Sequence, residues 1–177
     1  MIDLCPLTPT QTDLYRFVED LLCTSFPPVE YRPLDEIRHN TLHNEAFVNN
    51  AIVHRGQAVG LLSHWQLNGF CFVEHFAIVP DKRCGGYGQQ TLLTFCNRST
   101  LPIVLEVELP TDELSRRRID FYRRCDFELW QSPYLQPPYR PGFEPLPMHL
   151  MVRGSLNEKQ DFEQVRREIH RRVYGVE

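Results

Sequence analysis

The chain has 177 residues, of which 42% are hydrophobic and 24% are charged. This length favours one compact domain, and this composition excludes a disordered chain or a fibrous repeat. The 19 basic and 23 acidic residues give a formal net charge of −4, which argues against nucleic-acid binding as the main role. No apolar run approaches the roughly 18 residues that span a bilayer, and the N-terminal residues carry no signal-peptide pattern. We therefore expect a cytoplasmic protein that binds neither nucleic acid nor membrane.

The six cysteines are even in number, but none of them form a Cys-x-x-Cys pair and several lie in apolar segments. The sequence also lacks the His-Glu-x-x-His pattern of zinc hydrolases. We expect buried free thiols rather than disulfides, and no metal site.

The predicted elements are seven strands and five helices. Alternation of apolar and polar residues predicts the strands, which in chain order cover 2–7, 47–54, 58–66, 70–79, 103–109, 127–131 and 148–153. Helical spacing of apolar residues predicts the helices, which cover about 13–26, 34–42, 87–96, 112–124 and 155–174. Capping boxes are expected at 10–13 and at Ser155 with Glu158, and Asp112 is expected to cap the fourth helix.

Together these elements predict a mixed α/β domain. Its central sheet of six to seven strands is mostly antiparallel and flanked by helices, with a C-terminal helix appended. We assign the domain to 1–154 and its helical extension to 155–177. The loop 132–147 holds five of the fourteen prolines, and its Tyr134 and Tyr139 either wall a substrate site or only pack the loop down.

A glycine-rich turn between a strand and a helix is the segment most informative about function. The strand ends before Pro80, and Arg83-Cys84-Gly85-Gly86-Tyr87-Gly88 leads into the next helix. Such a turn directs several backbone N–H groups and the helix dipole at one spot, which binds phosphate. The chain lacks the motifs of P-loop NTPases and of dinucleotide folds, so a phosphate-bearing cofactor other than ATP or NAD is expected.

These residues resemble the GNAT superfamily of acyl-CoA-dependent N-acyltransferases. The resemblance rests on the strand 74–80, on the turn 83–88 and on a second block, 119–127, which is similar to the family's Phe-Tyr-x-x-x-Gly-Phe. The predicted order of elements agrees with that family over about 2–153.

The chain departs from the family pattern at three positions. Asp126 replaces the usual Gly of the second block, and Cys84 replaces a frequent Gly of the turn. Ser115 stands where many members have an Asn that contacts the pantetheine arm. With these departures, cofactor binding is still expected.

The resemblance implies acetyl-CoA as the co-substrate. Its pyrophosphate would lie on the amides of the turn, and its pantetheine arm would pair with the backbone of the preceding strand. The implied cofactor-binding residues are Ala77, Ile78, Val79, Arg83, Cys84, Gly85, Gly86, Tyr87, Gly88, Gln89 and Ser115.

Amine acetylation needs a base for the amine, an acid for the departing thiolate and donors for the oxyanion. Glu74 on the cofactor strand is the candidate base, acting directly or through a water, with a raised pKa expected from desolvation. Glu106 and Glu108 on the neighbouring predicted strand are alternatives. Tyr122 matches the family position whose hydroxyl faces the thiol sulfur and is the candidate acid.

Each of these residues also has a structural interpretation. Glu74 could be salt-bridged, and Tyr122 could be a core residue of an amphipathic helix. His75, on the opposite strand face from Ile78, is expected to be structural.

The resemblance implies an N-acetyltransferase that moves the acetyl group of acetyl-CoA to a primary amine of a small molecule or protein, by direct transfer in a ternary complex. One alternative is a catalytically silent acyl-CoA-binding regulatory or interaction module. Another is transfer of a longer acyl chain, or transfer to a hydroxyl. The acceptor and the oligomeric state, including a homodimer, stay open.

Overall fold

The computed structural model describes residues 2–8 and 10–176. Eight strands lie within them: β1 (Ile2–Pro6), β2 (Phe47–His54), β3 (Gln57–Leu67), β4 (Phe70–Ile78), β5 (Ile103–Glu108), β6 (Glu128–Leu129), β7 (Tyr134–Gln136) and β8 (Leu146–Arg153). Five helices accompany them: α1 (Thr12–Ser25), α2 (Leu34–His43), α3 (Tyr87–Arg98), α4 (Glu113–Arg123) and α5 (Glu158–Ile169). A π-helical turn, His170–Tyr174, continues α5.

The chain divides into two compact units, and strand β4 contributes to both. The first unit holds the chain up to Gln66 together with Val73–Arg98. In it, β1, β2, β3 and the end of β4 follow one another in chain order. The β1–β2 and β2–β3 pairs are antiparallel. Helices α1 and α2 contact β2, and α3 contacts β1, so the inner strands are buried and apolar.

The second unit holds Leu67–Phe72 and the residues from Ser99 onward. Strand β8 is its centre, because β8 pairs antiparallel with three strands. It pairs with β5 over 148–153, with β6 at Met151 and Val152, and with β7 over 146–148. Glu106 lies opposite Leu150, and Tyr134 lies opposite Met148. Helix α4 contacts β5 and β6.

The predicted fold class, a mixed α/β architecture with a mostly antiparallel sheet, is confirmed. Eight strands are present where six to seven were expected, and the added strand is β7, inside the proline-rich loop 132–147. Three residues between prolines are too few to show an alternating pattern. Strand β6 is shorter than the predicted 127–131. The division into 1–154 and 155–177 stays a prediction, and its outer ends, Met1 and Glu177, lie outside the described residues.

Two of the three predicted helix caps are wrong. Helix α1 is preceded by Gln11 without a side-chain cap, and α5 is capped by Asn157 rather than Ser155. Asn caps as well as Ser does, so the pattern alone cannot choose between them. The third cap is confirmed, since Asp112 forms a capping box with Ser115 at the start of α4.

None of the helices in the described part of the chain is long and apolar enough to cross a membrane. All six cysteines are free, but only Cys71, Cys96 and Cys125 are buried. The expectation of buried thiols therefore holds for half of them. Cys84, in the glycine-rich turn, is exposed.

Candidate functional site

The glycine-rich turn joins the end of β4 to the start of α3. A single 3₁₀ turn, Pro80–Lys82, follows β4, and α3 begins at Tyr87. Residues 83–86 between them are exposed. The first N–H groups of a helix have no acceptor in a preceding turn and carry the positive end of the helix dipole. An exposed loop that ends on such amides has the geometry that the predicted phosphate site requires, and the site itself stays a prediction.

Two residues of the turn adopt the left-handed backbone region. Gly86 has a φ of +75° and Cys84 has a φ of +66°. The left-handed conformation costs a residue with a Cβ roughly 1–2 kcal/mol, which Gly avoids. This geometry explains why the related family often has Gly where this chain has Cys84. A Cβ on Gly86 would meet no atom closer than 3.5 Å, so its backbone conformation rather than its surroundings requires Gly there.

Arg83 ties the turn back to the strand. Its Nε donates a hydrogen bond to the carbonyl of Ile78 at 3.1 Å. The residue is otherwise exposed, so its charge remains available to an anion held at the turn. The structure thus brings the predicted residues Ile78 and Arg83 into direct contact.

The end of β4 is approached closely by β3. A Cβ on Gly60 would lie 2.5 Å from the carbonyl oxygen of Ala77 and 2.8 Å from the Cδ1 atom of Ile78. Val79 donates its N–H to the carbonyl of Val59 at 3.0 Å. Gly60 is therefore needed where the two strands meet. Its role was not predicted from the sequence, although an isolated Gly inside a strand pattern is a known sign of close backbone approach.

Glu74 forms a buried ion pair in the first unit. Its Oε1 lies 2.5 Å from the Arg32 Nη2, and its Oε2 accepts a 2.8 Å hydrogen bond from the Trp65 indole. The side chains of Glu74 and Arg32 are only 1% and 8% exposed. The Arg32 guanidinium also lies over the Trp65 ring, 5.3 Å from its centroid. Both carboxylate oxygens of Glu74 are thus engaged, and the pair is removed from water.

The predicted raised pKa of Glu74 is wrong. Burial alone would raise the pKa, but the charges of Arg32 and His75 and the hydrogen bonds from Arg32 and Trp65 hold it below its ordinary value. A nearby positive charge and hydrogen bonds to the carboxylate both favour its ionised form, and here they outweigh the effect of burial. A carboxylate in this state is a weak proton acceptor.

His75 is buried beside the ion pair. Its Nδ1 lies 3.3 Å from the Ser63 hydroxyl, and its Nε2 lies 3.0 Å from the carbonyl of Glu30. Its ring also makes an edge contact with Phe26. Burial lowers the pKa of His75 below its ordinary value. These contacts agree with the structural role expected for it.

Tyr122 lies at the end of α4 in the second unit, where the helix closes in a Schellman motif. Phe127 donates its N–H to the Tyr122 carbonyl at 3.1 Å, and Asp126 donates its N–H to the Arg123 carbonyl at 3.0 Å. The rings of Tyr122 and Phe127 are 5.7 Å apart, the apolar contact that accompanies the motif. Asp126 has a φ of +65°, which explains the Gly that the related family has there.

The Tyr122 side chain is buried, which raises its pKa to about 12. Its hydroxyl therefore keeps its proton at neutral pH and can donate it or share it in a hydrogen bond. No hydrogen bond of this hydroxyl is formed with the described residues. Core packing and a role as a proton donor are both compatible with this placement.

Ser115 is occupied by the cap of α4. Its hydroxyl donates to Asp112 Oδ1 at 2.9 Å, its N–H donates to the same oxygen at 2.7 Å, and its oxygen accepts from the Asp112 N–H at 3.2 Å. These bonds lower the pKa of Asp112. A cofactor contact through this hydroxyl would have to compete with the cap, so Ser115 as a cofactor residue stays a prediction.

The two alternative carboxylates on β5 have different partners. Glu108 pairs with Arg118 at 2.5 Å, and both side chains are about 40% exposed. Glu106 is half-buried and accepts hydrogen bonds from the hydroxyls of Tyr134 and Tyr174. These hydrogen bonds connect Glu106 to the proline-rich loop and to the C-terminal turn, and local sequence patterns do not indicate them.

The predicted site residues fall in both units. The first unit holds Glu74 and the cofactor residues from Ala77 to Gln89, while the second holds Ser115 and Tyr122. One histidine pair was overlooked in the sequence: His39 and His43 lie one turn apart on α2, with ring centroids 4.9 Å apart. Within the described ranges, no group of three metal-ligating side chains is formed.

The chain matches solved structures, whereas no protein-family profile and no curated protein matches it. A solved structure from Bacteroides thetaiotaomicron, assigned to the GNAT family of acetyltransferases, is 44% identical over 99% of each chain, with a TM-score of 0.96.

Two more distant structures share the fold. A Bacillus subtilis acetyltransferase in complex with CoA is 15% identical and has a TM-score of 0.59, over 88% of this chain and 98% of that chain. A variant of the spermidine N-acetyltransferase from Vibrio cholerae is 16% identical and has a TM-score of 0.63, over 86% of this chain and 94% of that chain. At such low identity, these two show the fold alone.

Proposed function

Since the chain belongs to the GNAT family of acetyltransferases, we propose that it moves the acetyl group of acetyl-CoA to a primary amine by direct transfer in a ternary complex. The amine nitrogen attacks the thioester carbonyl, the carbon–sulfur bond breaks, and the thiolate takes up a proton. The acceptor is a small molecule or a protein amine. The observation that carries the proposal is the exposed glycine-rich turn at the start of α3, joined to β4 by Arg83.

Cofactor binding is supported by the chemistry of that turn. The pyrophosphate of acetyl-CoA would lie on the first amides of α3 and on the turn, from Cys84 to Gln89, with Arg83 adding a fixed positive charge. The pantetheine arm would run along the backbone of Ala77, Ile78 and Val79. Acetyl-CoA supplies the activated acyl group, and the chain's own residues hold and orient it.

We infer that Tyr122 is the acid that protonates the departing thiolate. Tyr122 keeps its proton at neutral pH because burial raises its pKa to about 12, and it would pass or share this proton as the thiolate departs. The Schellman motif at the end of α4 fixes the backbone from which this side chain extends.

The base that deprotonates the amine has three candidates. Glu74 stays a prediction, and its lowered pKa and two occupied oxygens weigh against it. The two carboxylates of β5 are the second candidate: both oxygens of Glu106 accept hydrogen bonds from tyrosine hydroxyls, and Glu108 pairs with Arg118. A water chain without a dedicated side chain is the third route.

Thermal unfolding with and without acetyl-CoA tests the proposal first. At a concentration ~100-fold above the dissociation constant, a ligand adds ~2.7 kcal/mol to the unfolding free energy. Gly86→Asp should abolish the shift, because it places a carboxylate where the pyrophosphate belongs. The absence of any shift in the wild-type protein at millimolar acetyl-CoA would remove the proposal.

Release of free CoA thiol in the presence of a panel of primary amines tests catalysis. Turnover with at least one amine is expected, and Tyr122→Phe should lower it by ~10²- to 10⁴-fold with little change in cofactor affinity. A loss below about threefold, with chemistry rate-limiting, would make Tyr122 a packing residue. A cofactor-dependent thermal shift without turnover on any amine would favour a silent acyl-CoA-binding module.

A further inference from the structure

The Tyr87 ring packs on the backbone of the glycine-rich turn. A Cβ on Gly85 would lie 2.8 Å from the Cε2 atom of Tyr87 and 3.0 Å from its Cδ2 atom. Gly85, unlike Gly86, does not have a positive φ, so its backbone is outside the left-handed region that side chains rarely adopt. The Tyr87 ring is therefore what requires Gly at position 85.

His54 supports the Tyr87 ring from the end of the sheet. It is the last residue of β2, and its ring centroid lies 5.1 Å from that of Tyr87, with an angle of 70° between the ring planes. This edge-to-face arrangement is a favourable geometry for a pair of aromatic rings. Both residues are half-buried. The Tyr87 ring thus contacts the turn at Gly85 and the end of β2 at His54.

The backbone at the centre of the turn is held only weakly by its own hydrogen bonding. The Gly85 N–H reaches the Lys82 carbonyl at 3.4 Å, and residues 83–86 are exposed. Cys84 also has a φ of +66°, a conformation that is unfavourable for a residue with a Cβ. A segment that becomes ordered only when its ligand binds lowers the affinity, whereas contacts that order it beforehand raise the affinity. The two rings supply such contacts.

We propose that the side chains of Tyr87 and His54 are positioning residues for the pyrophosphate of acetyl-CoA. Their packed rings hold the turn 83–86 in its anion-binding conformation before the cofactor arrives. His54 lies outside the glycine-rich turn and acts on the cofactor only through Tyr87. This proposal rests on the proposed function, because the affinity that the two rings raise is the affinity for acetyl-CoA.

Isothermal titration of the full chain with acetyl-CoA tests the role of His54. His54→Ala should lower the affinity roughly three- to tenfold, because it removes one aromatic contact of the Tyr87 ring. His54→Phe keeps a ring at this position and should retain most of the affinity. His43→Ala is the matched control, because the His43 ring packs on His39 at a centroid distance of 4.9 Å but lies on α2, before β2 begins. The affinity of this control should stay within about twofold of the wild type.

A double-mutant cycle tests the contact between Gly85 and Tyr87. Gly85→Ala places a Cβ against the Tyr87 ring and displaces it, and Tyr87→Ala removes the ring, so each should lower the affinity about fivefold or more. The double variant should bind within about twofold of Tyr87→Ala, because no ring is left for the new Cβ to displace. Tyr87→Phe should restore most of the affinity, since the ring rather than the hydroxyl makes both contacts.

Urea unfolding without cofactor accompanies each titration, so that only folded variants are compared. An unchanged affinity in folded His54→Ala or Tyr87→Ala, losses that simply add in the double variant, or a Tyr87→Phe protein that binds no better than Tyr87→Ala would overturn the proposal. With any of these results, a wild-type protein that binds acetyl-CoA leaves the proposed function standing. A wild-type protein that does not bind acetyl-CoA removes the proposed function and this proposal together.

Discussion

The substitution Glu74→Gln distinguishes two roles of Glu74, a structural role in the buried ion pair with Arg32 and a catalytic role as the base. The substitution keeps an oxygen for the Trp65 indole but leaves Arg32 buried without its counter-ion. Breaking one partner of a buried ion pair costs about 3–5 kcal/mol, and the retained indole bond favours the lower end, about 3 kcal/mol. For a protein of this size the loss corresponds to a fall of roughly 6–12 °C in Tm.

Urea unfolding followed by circular dichroism at pH 7 measures the loss. Glu113→Gln serves as the matched control, because Glu113 pairs with Arg117 on the surface and both side chains are 74% exposed. Its effect should stay within about 0.5 kcal/mol. Replacing both Arg32 and Glu74 by Met should recover most of the stability, since an apolar pair leaves no charge buried.

The pH dependence has a definite sign. The pKa of Glu74 is lower in the folded chain than its ordinary value near 4.3, so its contribution is complete above that pH and is lost as pH falls through the lower folded value. The Glu74→Gln protein should lack this part of the acid transition. A variant as stable as the wild type, within about 0.5 kcal/mol, would refute the anchor role. A stable variant with a reduced rate that recovers at high pH would instead restore Glu74 as the base.

Three further outcomes concern backbone geometry and a buried histidine. Asp126→Gly should raise the unfolding free energy by about 0.5–1 kcal/mol in denaturant titration, because it removes the left-handed strain at φ +65°, whereas Asp126→Ala should lower it. Gly60→Ala should destabilise the chain by about 1–3 kcal/mol and reduce its thermal shift with acetyl-CoA, because the new Cβ would lie 2.5 Å from a β4 carbonyl; an undiminished shift would contradict this. Burial lowers the pKa of His64 to about 4, so the unfolded chain takes up this proton first and stability should fall by about 3 kcal/mol between pH 6.5 and pH 4. His64→Phe should remove this part of the pH dependence of the unfolding free energy, and an unchanged pH dependence in the variant would show that other groups cause it.

The parts of the fold that follow from local pattern were predictable from the sequence. Strand β2 was predicted at its observed bounds, and α2 to within one residue, because hydrophobic periodicity decides them. The turn before α3 was predictable because three glycines in four positions after a strand end indicate a tight turn. Two departures from the family pattern, Cys84 and Asp126, turn out to share a positive φ, which periodicity does not encode.

The parts that depend on distant pairing were not predictable. Arg32 lies 42 residues before Glu74, and no local pattern joins them, so the sequence left both a desolvated base and a salt bridge open at Glu74 and could not name the partner. Similarly, Tyr134 was placed in a loop with two open roles, and its bond to Glu106 spans 28 residues. A charge in a strand indicates that a partner is needed, but only the folded chain identifies that partner.

Glu106 and Tyr174, joined by a hydrogen bond, are 68 residues apart in the chain. At ribosomal rates of about 5–20 residues per second, roughly 3 to 14 s pass between the synthesis of the two. During that interval the nascent second unit carries a carboxylate that still lacks one of its hydroxyl donors, and β8 and α5 are being added around it. An incompletely folded unit exposes apolar surface and strand edges, so misassembly of this chain would be favoured during this interval.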